Sequence, residues 1–116
     1  MFKRINKFLA NLEPKDATYV QIRNMLREIL LPLGFTENED IAVVTSATYK
    51  RNTFLVELIF DYRDKQYFFA LSSGVQDPIH PPRQVSMIFS SAEYKAEKKN
   101  AISLDLEQWL KTIDKQ

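Results

Sequence analysis

The chain predicts an α+β domain: two N-terminal helices, an antiparallel sheet of about four strands arranged as a meander, and a C-terminal helix packed on that sheet. Two observations carry this class. Toward both ends apolar residues recur at 3.6-residue spacing, whereas from Ile41 the period falls to two and the residues become β-branched and aromatic. The connections between the first three strands are also too short for the crossovers of a parallel sheet. Residues 1–116, with 45% hydrophobic and 27% charged side chains, suffice for one domain with a real core.

The first helix is predicted from Phe2, Ile5, Phe8, Leu9 and Leu12, with Lys3, Arg4 and Lys7 off that stripe. This pattern favours a packed terminal helix over one lying on a membrane. Glu13-Pro14 ends it, and Asp16 or Thr18 can cap the next helix. There Tyr19, Ile22, Leu26, Ile29, Leu30 and Leu33 form one stripe. Pro32 and Gly34 then stop the helix within residues 31–34.

Strands are expected near 41–49, 53–62, 66–73 and 84–91. A turn centred on Arg63-Asp64 pairs Leu58 with Phe69 and Val56 with Leu71; one centred on Arg51-Asn52 pairs Tyr49 with Phe54 and Thr45 with Leu58. Both registers put Val43, Val56, Leu58, Phe60, Phe69 and Leu71 on one buried face. A long loop, Gly74–Arg83, carries three prolines and leads to a strand in which Val85, Met87 and Phe89 alternate. Residues 92–100 are charged and expected as a solvated loop or frayed turn. Ile102, Leu106, Trp109, Leu110 and Ile113 make the final helix, with Ser103 as its cap.

Several chemistries are disfavoured at once. Sixteen Lys and Arg against fifteen Asp and Glu leave a net charge of +1, so no global field points to nucleic acid or a membrane. There is no Cys, which excludes disulfides, thiolate nucleophiles and Cys-ligated metals. The one His, His80, lies between Ile79 and two prolines and suits a loop histidine better than a catalytic one. Ser72, Ser73, Ser90 and Ser91 lie in no nucleophile elbow, and Gly34 and Gly74 are too far apart to form a phosphate loop. Asp77, Glu93 and Lys95 echo the carboxylates and lysine of Mg²⁺-dependent nucleases, but an acidic-x-Lys triplet is common in charged segments. No catalytic residue, metal or cofactor is expected. The first dozen residues lack a signal-peptide apolar region, and the expected compartment is the cytoplasm.

Two surfaces are candidate partner contacts. Glu37, Glu39, Asp40, Asp61 and Asp64 are expected to gather at one end of the sheet, diluted by Arg63 and Lys65. That end is ordinary solvated surface, a docking patch for a basic partner, or a divalent-cation site, although the side chains lack an EF-hand spacing. The proline loop, with Asp77, Ile79 and His80, is the second candidate. The sheet face opposite the core mixes Val44, Leu55, Ile59 and Phe68 with Ser46, Thr48, Glu57 and Gln66. Such a face is expected to be partly covered by a helix, or to bind a protein.

The segment Leu30-Leu31-Pro32-Leu33-Gly34-Phe35, the aromatic-rich meander Tyr49–Leu71 and the Trp109-bearing final helix together resemble small bacterial toxin-immunity proteins, in particular those of contact-dependent growth-inhibition systems. The likeness covers roughly residues 17–113, in element order and texture rather than in a diagnostic motif. It implies a cytoplasmic, non-enzymatic protein that binds one cognate toxin domain, a nuclease among the candidates, and blocks its active site. Two other readings stay open. One is a secretion-type chaperone for an exported effector; the other is a small metal-dependent hydrolase using Asp77, Glu93 and Lys95.

Overall fold

The computed structural model describes residues 16–42, 44–73 and 83–113, with the side chains of Arg83 and Gln84 left aside. The predicted N-terminal helix, Val43 and the loop carrying Asp77, Ile79 and His80 lie outside the described residues.

Helix α1 (Ala17–Leu30) starts where Asp16 accepts a hydrogen bond from the Tyr19 backbone N–H at 2.8 Å. Its stripe of Tyr19, Ile22, Leu26 and Leu30 is fully buried. A 3₁₀ turn, Leu31–Leu33, tightens the exit, and Gly34 closes it at φ 91°, a conformation that costs glycine little.

The sheet has five strands in sequential order, all antiparallel: β1 (Thr36–Asp40), β2 (Val44–Arg51), β3 (Phe54–Asp61), β4 (Gln66–Ser72) and β5 (Arg83–Phe89). Four strands were expected, and β1 is the addition. Its residues, Thr-Glu-Asn-Glu-Asp, have poor strand propensity and show no apolar alternation. Pairing along β2, from Thr36↔Lys50 to Asp40↔Ser46, holds it in place.

The β3–β4 hairpin has the expected register, with Leu58 opposite Phe69 and Val56 opposite Leu71. The β2–β3 hairpin does not: Tyr49 lies opposite Val56 rather than Phe54. The turn centres on Asn52-Thr53, because Asn52 takes a left-handed φ of 55° that asparagine tolerates well. A slip of two leaves every side chain on its expected face.

The C-terminal helix also begins earlier than expected. Residues 92–100 are helical, within a continuous run of α2 (Ser91–Glu93), a π-helical turn (Tyr94–Lys98) and α3 (Lys99–Ile113). Ser90, not Ser103, is its cap. Ser90 Oγ accepts from the Glu93 N–H at 3.2 Å, and the Glu93 carboxylate accepts from the Ser90 N–H at 3.1 Å. The π turn has a packing consequence. In a plain α-helix Tyr94 and Ile102, eight residues apart, would point about 80° away from each other; one extra residue in the turn reduces that to about 20°. Tyr94 thereby joins Ile102, Leu106, Trp109 and Ile113 on the buried side.

The buried side chains of α1 and of the C-terminal helix form one core cluster with Val56, Leu58, Phe60, Tyr67, Phe69, Leu71 and Phe89, all on the same sheet face. Phe60, Tyr67, Phe89 and Tyr94 stack in sequence, with ring centroids 4.6, 5.5 and 6.0 Å apart.

Candidate functional site

Strand alternation divides the five expected acidic residues between the two faces. Glu37 and Glu39 lie opposite Tyr49 and Ala47, on the core face at the sheet's edge. There α1 meets them with two arginines. Arg27 donates to Glu37 at 2.9 Å and Arg23 to Glu39 at 3.1 Å. Two tyrosine hydroxyls complete the set: Tyr49 donates to Glu37 at 2.8 Å and Tyr19 to Glu39 at 2.7 Å. Arg27 also approaches Glu39 at 3.7 Å, so the four charges form one network with no net charge.

The network sets the ionisation of its members. The hydrogen bond from Arg27 holds the Glu37 carboxyl below its usual range, against an opposing effect of burial. Burial pushes the Tyr19 and Tyr49 hydroxyls up, reinforced by the carboxylates that accept from them. Glu37 is therefore held charged, and the Tyr19 and Tyr49 hydroxyls neutral, at neutral pH. The arrangement fastens a weak edge strand to α1, and Glu37 and Glu39 are spent on that task.

Asp40 and Asp61 point the other way, to the outer face, and Asp64 sits in the adjoining β3–β4 turn. Asp61 Oδ1 accepts from the backbone N–H of Arg63 at 2.9 Å and so shapes that turn. The expected patch of five carboxylates is thus reduced to three, beside Arg63 and Lys65. Lys65 lies over the Tyr62 ring, 5.6 Å from its centroid.

The outer face supplies what the sequence only hinted at. The pairings align Asp40, Ser46, Ile59, Phe68 and Ile88 in one row across all five strands, with Val44, Asp61 and Gln66 in the next row. Val44, Ile59, Phe68 and Ile88, with Asp61 and Asp64, wall a groove of about 230 Å³. Val44 is 46% exposed and Ile88 62%. Ile88 was absent from the expected outer face; the alternation of Val85, Met87 and Phe89 toward the core was the signal that it must point outward.

The catalytic candidates fare differently. Glu93 is engaged in the cap with Ser90, and Asp77 lies outside the described residues. Among the described residues no group of three or more His, Asp or Glu side chains is placed to hold a metal ion. Among them, too, no helix is long and apolar enough to cross a membrane. Comparison of the chain with family models, with curated proteins and with solved structures finds no match.

Proposed function

We propose that this chain is a non-enzymatic, cytoplasmic inhibitor that binds a cognate bacterial toxin domain, as an immunity protein does, and that it docks through the outer face of its sheet. The observation that supports this reading is the groove: exposed Val44 and Ile88 border an apolar cleft whose end carries Asp61 and Asp64. Scattered exposed apolar residues are normal, but a contiguous apolar cleft with a charged rim suits a protein contact. The apolar walls would supply affinity, and the carboxylates would steer a basic partner and fix its orientation.

The test is co-expression with a panel of bacterial toxin domains. Wild-type protein should restore growth, whereas Val44→Lys with Ile88→Lys should fold, bind at least tenfold more weakly and fail to protect. Full protection by that double variant would remove the outer face from the proposal. No protection by the wild type would remove the inhibitor reading itself.

A further inference from the structure

We infer that the groove takes the side chain of one arginine or lysine supplied by the partner, an inference that rests on the docking reading above. Size points to a single side chain. A cleft of about 230 Å³ lies below the roughly 300–1,000 Å³ of pockets that enclose drug-sized ligands.

The strand pairings give the groove a direction. Ile59, Phe68 and Ile88 share one row of the outer face. Asp61 and Gln66 lie in the next row, toward the β3–β4 turn that holds Asp64. Successive rows on one face are two residues, or about 7 Å, apart. The methylene stem of Arg or Lys, with its head group, covers about that distance. A stem laid on Ile59 and Ile88 therefore brings its charge to Asp61 and Asp64.

Charge complementarity fixes the sign. Among the described residues two carboxylates line the groove and no cation does. Of the turn's own cations, Arg63 is not part of the lining. Lys65 lies over Tyr62, whose ring packs against core-face Phe60 with centroids 4.6 Å apart, so it is drawn toward the other side of the sheet. Asp61 accepts from the backbone N–H of Arg63 at 2.9 Å and of Asp64 at 3.4 Å, both on Oδ1, which leaves Oδ2 for a donor. No ion pair engages Asp61 or Asp64 among the described residues. A calcium ion fits the groove less well. It takes roughly six to eight oxygens, and the side chains of Val44, Ile59, Phe68 and Ile88 offer none.

Small probes test this without a partner protein. The amide signals of Ile59 and Ile88 should shift saturably with N-acetylargininamide or N-acetyllysinamide, with a dissociation constant in the low millimolar range. N-acetylcitrullinamide keeps the arginine shape without the charge, and guanidinium ion keeps the charge without the stem. Each should bind at least fivefold more weakly than the arginine probe. Asp61→Asn with Asp64→Asn should cost that probe at least fivefold in affinity, since Asn keeps an Oδ1 acceptor for the turn. Asp64→Asn alone should act in the same direction and serves if the double variant does not fold. Absence of saturable shifts with both cationic probes would overturn the inference. So would equal affinity for the neutral analogue, or indifference to the Asn changes. No toxin enters these titrations, so their failure leaves the growth-protection test of the outer face standing. Failure of that test with normal probe binding would instead remove the docking reading.

Discussion

Glu39 and Asp40 are neighbours on β1, yet the pleat sends them to opposite faces, and the two faces treat a carboxylate differently. Glu39 meets Arg23 and the Tyr19 hydroxyl beneath α1, whereas Asp40 ends an exposed row that runs through Ser46, Ile59 and Phe68 to Ile88. On the core face, charge is consumed by the fold. On the outer face the Asp40 carboxylate stays exposed to a second molecule. Acidic residues that look like one cluster in sequence are thus two populations with separate roles, sorted by a period of two.

The sharpest way to break this contrast is through side-chain size. Phe69 is fully buried between Leu58 and Met87 in its row, so Phe69→Ala should cost about 3–5 kcal/mol in urea unfolding. Ile88, one strand over and on the outer face, should lose less than about 0.5 kcal/mol on change to Ala. Comparable losses at the two positions would mean that the faces are not distinct in packing.

A smaller effect is expected in the carboxylate network. Glu37→Gln removes the ion pair with Arg27 and weakens the bond from Tyr49, and should cost about 1–2 kcal/mol. Its pH dependence follows from the lowered folded-state pKa of Glu37. The unfolded carboxyl titrates at its ordinary value near 4.5, so the stabilisation is fully present above that pH. It is lost as pH falls through the lower folded value. Unfolding curves of wild type and Glu37→Gln should therefore converge in acid and separate toward neutrality. A constant gap across that range would show that the ion pair does not carry the effect.

The two faces were legible from sequence for a particular reason. Val56, Leu58 and Phe60 alternate against Phe69 and Leu71 strongly enough to define the core side, and the two-residue slip at Asn52 could not change it. What stayed hidden lacked an apolar signal. Nothing in Thr36–Asp40 announces a strand, because its stability comes from β2 and from arginines on the helix that precedes it. The π turn was hidden because its extra residue breaks the 3.6-residue period that would have linked Tyr94 to Ile102. For the site, alternation was enough to separate inner from outer residues but said nothing of the Arg23 and Arg27 contacts. The loss of Glu37 and Glu39 from the acidic patch could not be read without them.

The smallest expected effect on stability is also the most informative for function. Asp40→Lys reverses one charge on the outer face, where the side chain is exposed and the row beside it is Ser46. Folding stability should change by less than about 0.5 kcal/mol, as for an ordinary surface substitution. Association with a basic partner should nevertheless slow, because the local field that steers encounter is weakened, and the deficit should shrink as salt screens it. Dissociation should change little, since a rim charge acts mainly on the approach. Stopped-flow association at low and high ionic strength separates these cases. An unchanged association rate at low salt would show that Asp40, though free of the internal network, contributes nothing to recognition, and would confine the steering charge to Asp61 and Asp64.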